Sequence, residues 1–499
     1  MNAGHICIAL CAKTADELVA QLRRAEPLAD IIEIRFDYLA ADQLDKARQA
    51  LAETKISKPL IATFRSPAQG GNRDITRDER LRFWRSLDES FAYADIEQDI
   101  IADLDLTAKV IASQHDFTAV PQNVAELYDK LEANDPAIVK IAATARDICD
   151  AIPMWQLIDR PRTDGRQIIS LAMGESGKWT RILGLAHGAF LTYASLDSGK
   201  ETADGQVTAD ELLKVYRAKD LDHETRVYGV IGDPVSSSVS PFMQNAAFTS
   251  TGLNSVFLPL QVKDLDAFMR RMVLSKTREV EFTFAGFSVT MPYKQAIREY
   301  LTEIDPVAAK IGAVNTVKIE GDRLTGYNTD AHGFITPLKK RISDLNDARV
   351  AVLGAGGAAR AVVFALQQEA AEVTVFARDP QKAKPLAETF NARVSDLATF
   401  VRHSSAFDII VNTTPLGMHG PNEDKTLITA KDLLGVRFVY DLVTRRDDTP
   451  ILREAKTAGV DAISGVEMLI AQGIKQFEIW TGLEPPADVM RQAVLDRLR

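Results

Sequence analysis

The chain is predicted to be an α/β protein, a (β/α)8 barrel followed by a further α/β region that contains a dinucleotide-binding fold. Three observations lead there. Before about Asp220, eight apolar strand-like runs alternate with amphipathic helical stretches. A polar stretch, A-K-D-L-D-H-E-T-R, then separates this part from V-Y-G-V-I-G, where a new α/β pattern starts. Further on, R-V-A-V-L-G-A-G-G-A-A-R runs a strand into a glycine loop and a helix.

The eight runs are Ile6–Leu10, Ile31–Phe36, Pro59–Phe64, Ala94–Glu97, Lys109–Gln114, Ala137–Ala142, Gln167–Met173 and Phe190–Leu196. Helical patterns such as A-D-E-L-V-A-Q-L-R-R and D-E-R-L-R-F-W-R-S-L-D-E-S-F lie between most of them. Buried parallel strands joined by helices close into a barrel, here smaller than the usual about 250 residues; an open doubly wound sheet is the alternative. Barrel strands present chemistry at their carboxyl ends, which here carry Glu33, Arg35, Arg65, Glu97, His115, Lys140 and the loop M-G-E-S-G-K-W-T-R with Arg181. Lys140 stands out because A-I-V-K-I-A-A sets an amine in an apolar strand. Desolvation there favours the nucleophilic neutral form needed for a Schiff base, or else the lysine pairs with a buried carboxylate such as Glu33. His115 in S-Q-H-D-F reads as a general base or as a structural hydrogen-bonder.

The second region begins after a linker around Lys219–Arg226. G-A-V-N-T-V-K-I-E-G-D-R-L-T-G-Y-N-T-D reads as a β-hairpin turning at Glu320–Asp322. In the glycine loop, Gly354, Ala355, Gly356, Gly357 and Ala358 are placed to hold a pyrophosphate through backbone N–H groups and the helix terminus. The next strand, E-V-T-V-F-A-R, ends on Arg378, with Asp379 and Lys382 following. A cation there suits a ribose 2′-phosphate and an acid suits a 2′-hydroxyl, so Arg378 and Lys382 favour NADP while Asp379 pulls toward NAD.

Composition excludes several classes. Hydrophobic residues make up 46% and charged residues 26% of the 499, the balance of a globular chain of two to four domains. A net charge of −10 disfavours non-specific binding to nucleic acid or an anionic membrane. Cys7, Cys11 and Cys149 are too few for a disulfide framework, and Cys7 and Cys11 read as buried apolar residues with no metal site. No run reaches about 18 apolar residues, and H-I-C-I-A-L opens the chain without a signal-peptide pattern. The expectation is a cytoplasmic protein, or a plastid one whose transit peptide is absent; a monomer is compatible with the sequence.

The residues then carry a resemblance. E-I-R-F-D, T-F-R-S, S-Q-H-D-F, V-K-I-A, M-G-x-x-G-x-x-x-R and the late G-Q resemble type I 3-dehydroquinate dehydratase. G-D-P-V-S-S-S-V-S-P, S-V-T-M-P-Y-K, G-A-V-N-T, G-Y-N-T-D, N-T-T-P-L-G-M and G-V-E-M-L-I-A-Q resemble shikimate dehydrogenase. Nearly the whole chain therefore looks like the bifunctional dehydratase–dehydrogenase family of the shikimate pathway. The resemblance implies a TIM barrel over residues 1–220, a substrate-binding domain over 226–335, a Rossmann NADP domain over 336–470 and helices over 471–499 returning to the substrate-binding part. It also implies that Lys140 forms an imine with the substrate ketone and that His115 moves the protons. Glu33, Arg35, Arg65, Arg181 and Gln206 would hold hydroxyls and the carboxylate. In the second half it implies Lys294 and Asp330 as the catalytic pair, Ser238 and Ser240 on the carboxylate, Thr290, Asn315 and Gln472 on ring hydroxyls, and Thr413 beside NADP.

Three positions depart from the family pattern: Gln69 where a Glu near the histidine is usual, Asp204 where the lid has Pro, and Thr444 where a Tyr is usual. Both activities are expected to persist with altered rates. The alternatives are a quinate/shikimate dehydrogenase in the second half, or a non-catalytic quinate-pathway sensor, against which the intact Lys140, His115, Lys294 and Asp330 count.

Overall fold

Eight short apolar strands are buried on both faces, and alternate side chains of each point inward around a common interior. The computed structural model describes residues 2–160, 165–282 and 284–498, so the expected chain ends Met1 and Arg499 lie outside the described residues. The described chain divides into two compact units, Met1–Ser237 with Asn254–Phe284 and Ser238–Leu253 with Ala285–Arg499.

In the first unit the strands are β1 (His5–Leu10), β2 (Ile31–Arg35), β3 (Leu60–Thr63), β4 (Tyr93–Glu97), β5 (Lys109–Asp116), β6 (Ile138–Thr144), β7 (Gln167–Met173) and β8 (Leu191–Ser195), matching the eight predicted runs. They are parallel, each beside its sequence neighbour from β1 to β7, and β8 returns beside β1. At the β7–β8 seam the Phe190 N–H donates to the Ile168 carbonyl at 2.8 Å. A short β9 (Val207–Thr208) adds beside β8. Ile31, Ile61, Ile111, Ile138 and Ile169 form one apolar cluster, and two residues further along the same faces come Glu33, Thr63, Ser113, Lys140 and Leu171. The barrel interior thus passes from apolar to polar toward the carboxyl ends of the strands. The unit also holds a parallel pair, β10 (Arg226–Gly232) and β11 (Ser255–Gln261). Of the predicted linker Lys219–Arg226, residues 219–225 form neither helix nor strand and Arg226 opens β10; the Lys219 ammonium donates to Asp30 at 2.9 Å. Trp155 packs on His187, Trp179 and Phe282 with centroids 4.6, 4.9 and 5.3 Å away. Such ring pairs contribute about 0.5–1.5 kcal/mol each beyond the area they bury.

The second unit takes up β12 (Phe284–Val289) from Ala285 onward and continues with β13 (Glu303–Ile304), β14 (Thr316–Glu320) and β15 (Arg323–Tyr327). Strands β14 and β15 form the predicted hairpin, Glu320 opposite Arg323, with Gly321 at φ +62° in the turn. Then come β16 (Arg349–Leu353), β17 (Glu372–Ala377), β18 (Arg393–Asp396), β19 (Ile409–Asn412), β20 (Phe438–Asp441) and β21 (Asp461–Ser464). Their order is β18-β17-β16-β19-β20-β21, all parallel, so the strand order reverses between β16 and β19, where a doubly wound sheet opens a ligand crevice. The helices Gly465–Thr481 and Ala487–Leu498 end the chain. The Gln244 amide of the helix Ser240–Ser250 donates to the Gly473 carbonyl at 2.9 Å, and Phe248 meets Phe477 with centroids 5.9 Å apart. No helix among the described residues is long and apolar enough to cross a membrane.

Candidate active sites

Lys140 lies midway along β6, facing the barrel interior, where the desolvation cost of an ammonium must be offset by partners. It finds three. Its Nζ donates to Asp95 Oδ2 at 2.7 Å and to the Tyr193 hydroxyl at 2.9 Å, and sits 4.2 Å from the Tyr193 ring centroid. Glu33, the carboxylate expected from the sequence, is 4.0 Å away and accepts instead from Thr63 Oγ1 at 2.7 Å. Asp95 was not among the predicted site residues. It also pairs with Arg65 at 2.7 Å. Burial raises its carboxyl, but Arg65 and Lys140 outweigh this and hold it far below the usual carboxylate range.

Glu33, Arg35, Arg65, His115, Lys140, Arg181 and Gln206 all line one cavity, together with Gln69. Glu97 does not line it; Ser66 and Arg80 take up its carboxylate. Arg35 is held by Asp37 at 2.9 and 2.7 Å, and Arg65 also donates to Ser113 Oγ at 2.7 Å. Arg181 differs. It is 2% exposed, its Nε has no partner, and no carboxylate pairs with it among the described residues. Burial pulls its pKa down to about 10, so it stays cationic at neutral pH and presents an unmatched buried charge to the cavity. The Gln206 Oε1 accepts from the Thr202 N–H at 2.7 Å, while its buried Nε2 is unpartnered. His115 is half-buried; burial, Arg65 and Lys140 together hold its pKa well below the ordinary value, against a smaller pull from Asp95. Its backbone N–H donates to Gln69 Oε1 at 2.7 Å, and its Nδ1 lies 3.2 Å from the same oxygen. Asp204 acts through its backbone, its carbonyl accepting from Gly174 N–H at 2.9 Å, a contact that a proline there would keep.

In the second unit Lys294 Nζ meets Asp330 Oδ2 at 2.5 Å. Asp330 opens the helix Asp330–Lys339, and its other oxygen accepts from Asn315 Nδ2 at 2.8 Å. The Asn315 Oδ1 accepts from Thr329 N–H at 2.8 Å, and Thr329 Oγ1 reaches Gln472 Oε1 at 3.5 Å. Four predicted residues, Lys294, Asp330, Asn315 and Gln472, thus share one hydrogen-bonded network. Gln476, which was not predicted, supports it from behind by donating to the Asn315 carbonyl at 3.2 Å and accepting from Ser288 Oγ at 2.8 Å. Thr290 follows β12 one residue after Val289, whose N–H donates to the Asn315 carbonyl at 2.7 Å. Ser238 Oγ accepts from Ser240 N–H at 3.3 Å at the start of the helix Ser240–Ser250, with Pro241 in its first turn. Among the described residues no hydrogen bond ties Ser238, Ser240 or Thr290 to the Lys294 network. Nothing in the structure accounts for Thr444.

The glycine loop follows β16. Gly354 has φ +108°, and a Cβ there would lie 2.6 Å from Thr413 Oγ1, so only glycine fits. Thr413 is held by its N–H and hydroxyl to the Leu353 carbonyl at 2.9 and 2.7 Å. Gly356, between Ala355 and Gly357, is the N-cap of the helix Gly357–Gln368, where no side chain caps the first N–H groups. Those groups and the positive helix end fit a pyrophosphate, and Ala358 in the first turn keeps the approach small. A Cβ on Gly357 would lie 3.9 Å from Lys294 Cδ, so the lysine stands beside this loop. Arg378 and Lys382 are exposed, whereas the Asp379 carboxylate caps its own helix by accepting from Gln381 N–H at 3.1 Å. The acid that pulled toward NAD is thus engaged locally, with the Lys382 ammonium 3.9 Å from it, and Arg378 is exposed.

Comparison with known proteins covers the residues of both sites. Residues 6–223 match the model of type I 3-dehydroquinase, residues 230–317 the shikimate dehydrogenase substrate binding domain, residues 337–456 shikimate / quinate 5-dehydrogenase and residues 465–495 the shikimate 5'-dehydrogenase C-terminal domain. The chain is 34% identical over 523 residues to the chloroplastic bifunctional 3-dehydroquinate dehydratase/shikimate dehydrogenase of Arabidopsis thaliana, covering 98% of this chain and 84% of the relative. It is 41% identical over 290 residues to the NADP(+) shikimate dehydrogenase of Methanopyrus kandleri, covering 56% of this chain and 98% of that one. A solved shikimate dehydrogenase in complex with NADP+ is similar at 37% identity and a TM-score of 0.51, covering 56% of this chain and 98% of that structure. With a buried lysine in a barrel cavity, a Lys–Asp network beside a glycine loop, and similarity along its whole length, the chain belongs to the family of bifunctional 3-dehydroquinate dehydratase/shikimate dehydrogenases.

Proposed function

We propose that the chain dehydrates 3-dehydroquinate to 3-dehydroshikimate in the barrel cavity and reduces that product to shikimate at the Lys294–Asp330 site. The observation that carries the first half is Lys140, buried, held by Asp95 and Tyr193, and facing a cavity with an unmatched Arg181. An unmatched buried guanidinium favours a carboxylate ligand, which fixes the substrate's orientation. Lys140, once deprotonated, adds to the ketone carbon, and loss of water gives an iminium. Its positive charge stays on the same nitrogen, so the Asp95 carboxylate pairs with it before and after. The iminium draws electrons from the adjacent C–H bond; His115 Nε2 takes that proton and returns one to the hydroxyl that leaves as water. Hydrolysis of the conjugated imine then frees the product and Lys140.

In the second site a hydride must reach the ketone carbon and a proton its oxygen. NADPH, when bound, supplies the hydride. Gly354, Ala355, Gly356, Gly357, Ala358 and Thr413 would hold its pyrophosphate and Arg378 and Lys382 its 2′-phosphate. The Lys294 ammonium gives the proton to the developing alkoxide, and Asp330 fixes the ammonium's direction. Ser238 and Ser240 take the carboxylate, and Thr290, Asn315 and Gln472 the ring hydroxyls. On this reading the chain is organised as 1–220, 226–335, 336–470 and 471–499, and its partners are small anions.

The test is direct. Borohydride added with 3-dehydroquinate is expected to fix a substrate-sized mass on Lys140, and 3-dehydroshikimate is expected to oxidise NADPH. Absence of the adduct refutes the first half, and absence of NADPH oxidation the second.

A further inference from the structure

We propose that the Tyr193 hydroxyl is a further catalytic group of the barrel, the relay that carries a proton from the Lys140 nitrogen to the ketone oxygen as the imine is built. The inference rests on the dehydratase reading above. When a neutral amine adds to a ketone, the nitrogen is left with one proton too many and the oxygen with one too few. Both sit on the same carbon, where a direct jump is strained; a hydroxyl beside them lets the transfer run through a six-membered ring. In open solution a water molecule does this. The Lys140 side chain is only 6% exposed, so a protein group takes that place. The hydrogen-bond partners of its Nζ among the described residues are Asp95 Oδ2 at 2.7 Å and the Tyr193 hydroxyl at 2.9 Å. Against its burial, Arg65 and Lys140 keep the Asp95 carboxyl far below the usual range, so it holds charge rather than a proton.

A hydroxyl both accepts and donates, and this one is free to do both. An ammonium can only donate, so the 2.9 Å contact uses the Tyr193 oxygen as acceptor. No other hydrogen bond of that hydroxyl occurs among the described residues, so its own hydrogen is left for a ligand. Tyr193 lines the same cavity as Lys140 and Arg181, and it packs in the apolar cluster with Cys7, Ile31 and Leu171. Burial, with Glu33, Cys7 and Asp95 adding, pushes the phenol well above its ordinary value against the pull of Arg65. Phenolate therefore does not form, and the group gives up its own proton only as it takes another. The balance closes. One N–H bond breaks as a phenol O–H forms, while the former phenol O–H breaks as one forms on the former ketone oxygen, and no charge stays on the tyrosine. Product release runs the path backwards, from the oxygen of the hydrated imine to the departing nitrogen.

Tyr193→Phe keeps the ring and removes only the hydroxyl. In a single turnover of 3-dehydroquinate stopped with borohydride at successive times, the mass adduct on Lys140 is expected to appear about 100-fold more slowly than in the unaltered chain. An adduct that is not slowed overturns the proposal. The loss is expected in the plateau of this rate against pH; a plateau kept, with the profile only displaced along the pH axis, means that the hydroxyl merely sets the charge of Lys140 and overturns the relay. In the unaltered chain the same rate, measured in mixtures of light and heavy water, is expected to follow a curve, because two hydrogens move together. A straight line overturns the relay, and should the phenylalanine variant not fold, this measurement still decides. The unaltered chain separates the two claims: no adduct there at any time refutes the dehydratase reading, whereas an adduct that forms equally fast without the hydroxyl refutes only the role of Tyr193.

Discussion

Each of the two sites is built on a lysine facing an aspartate, and the pairs differ in exposure. The Lys140 and Asp95 side chains are 6% and 0% exposed, those of Lys294 and Asp330 23% and 8%. The barrel lysine is fixed on three sides, by Asp95, the Tyr193 hydroxyl and the Tyr193 ring. The other is fixed on one, by Asp330. On the proposed roles, the difference follows from what each nitrogen must do. A nitrogen that becomes covalently bound to substrate has to be immobilised and screened from water, or its imine hydrolyses early. A nitrogen that only gives a proton must regain one from solvent after each turnover, which partial exposure permits. The same two residue types therefore serve opposite chemistries through their surroundings.

The largest test of that contrast is to remove each lysine. Lys140→Ala is expected to abolish dehydration and leave reduction of 3-dehydroshikimate intact; Lys294→Ala is expected to lower reduction roughly 10²- to 10⁴-fold and leave dehydration intact. Assays of the two half-reactions measure this, and crossed losses would break the comparison. Removing the aspartates sharpens it in stability. Asp95→Asn strands Lys140 and Arg65 in the barrel and is expected to cost about 3–5 kcal/mol in chemical denaturation. Asp330→Asn leaves a partly hydrated lysine and is expected to cost about 1 kcal/mol.

Smaller effects follow at the cofactor loop. Arg378→Ala is expected to raise the KM for NADPH about tenfold, the scale of one charge-assisted hydrogen bond, with the KM for NADH unchanged. A separate effect is in the first unit's pH response. Burial, with His223 adding, pulls the His187 pKa down to about 4. As pH falls below the ordinary histidine value of about 6.5, the unfolded chain takes up a proton that folded His187 refuses. Stability therefore drops, by at most about 1.4 kcal/mol per pH unit, until pH reaches about 4 and the folded state protonates too. His187→Gln should remove that slope in denaturation series across this range.

Much of this was legible in the sequence because barrel strands and the glycine loop depend on local pattern. The eight apolar runs are the eight strands, since a buried parallel strand needs an uninterrupted apolar stretch. Gly354 announces a turn that a side chain cannot occupy. Asp95 is not legible from the strand ends, where Glu97 is the acid of β4. Parity admits both acids, since Tyr93, Asp95 and Glu97 share one face, and the register sets Glu97 level with Lys140 and Asp95 level with Ile138, so only the side-chain contact singles out Asp95. Glu97 is instead engaged by Arg80, a long-range pairing no local pattern reveals. Gln476 was hidden similarly, one helical turn beyond the expected Gln472, where a contact to β12 gives it its place.

The most direct test of the central claim, that one chain carries both chemistries in succession, is NADPH absorbance after 3-dehydroquinate is added to the purified protein with no other enzyme present. NADPH is expected to be consumed, because the barrel must first make the ketone that the second site reduces. If absorbance holds steady while 3-dehydroshikimate alone is readily reduced, the barrel does not dehydrate and the account of Lys140 is contradicted.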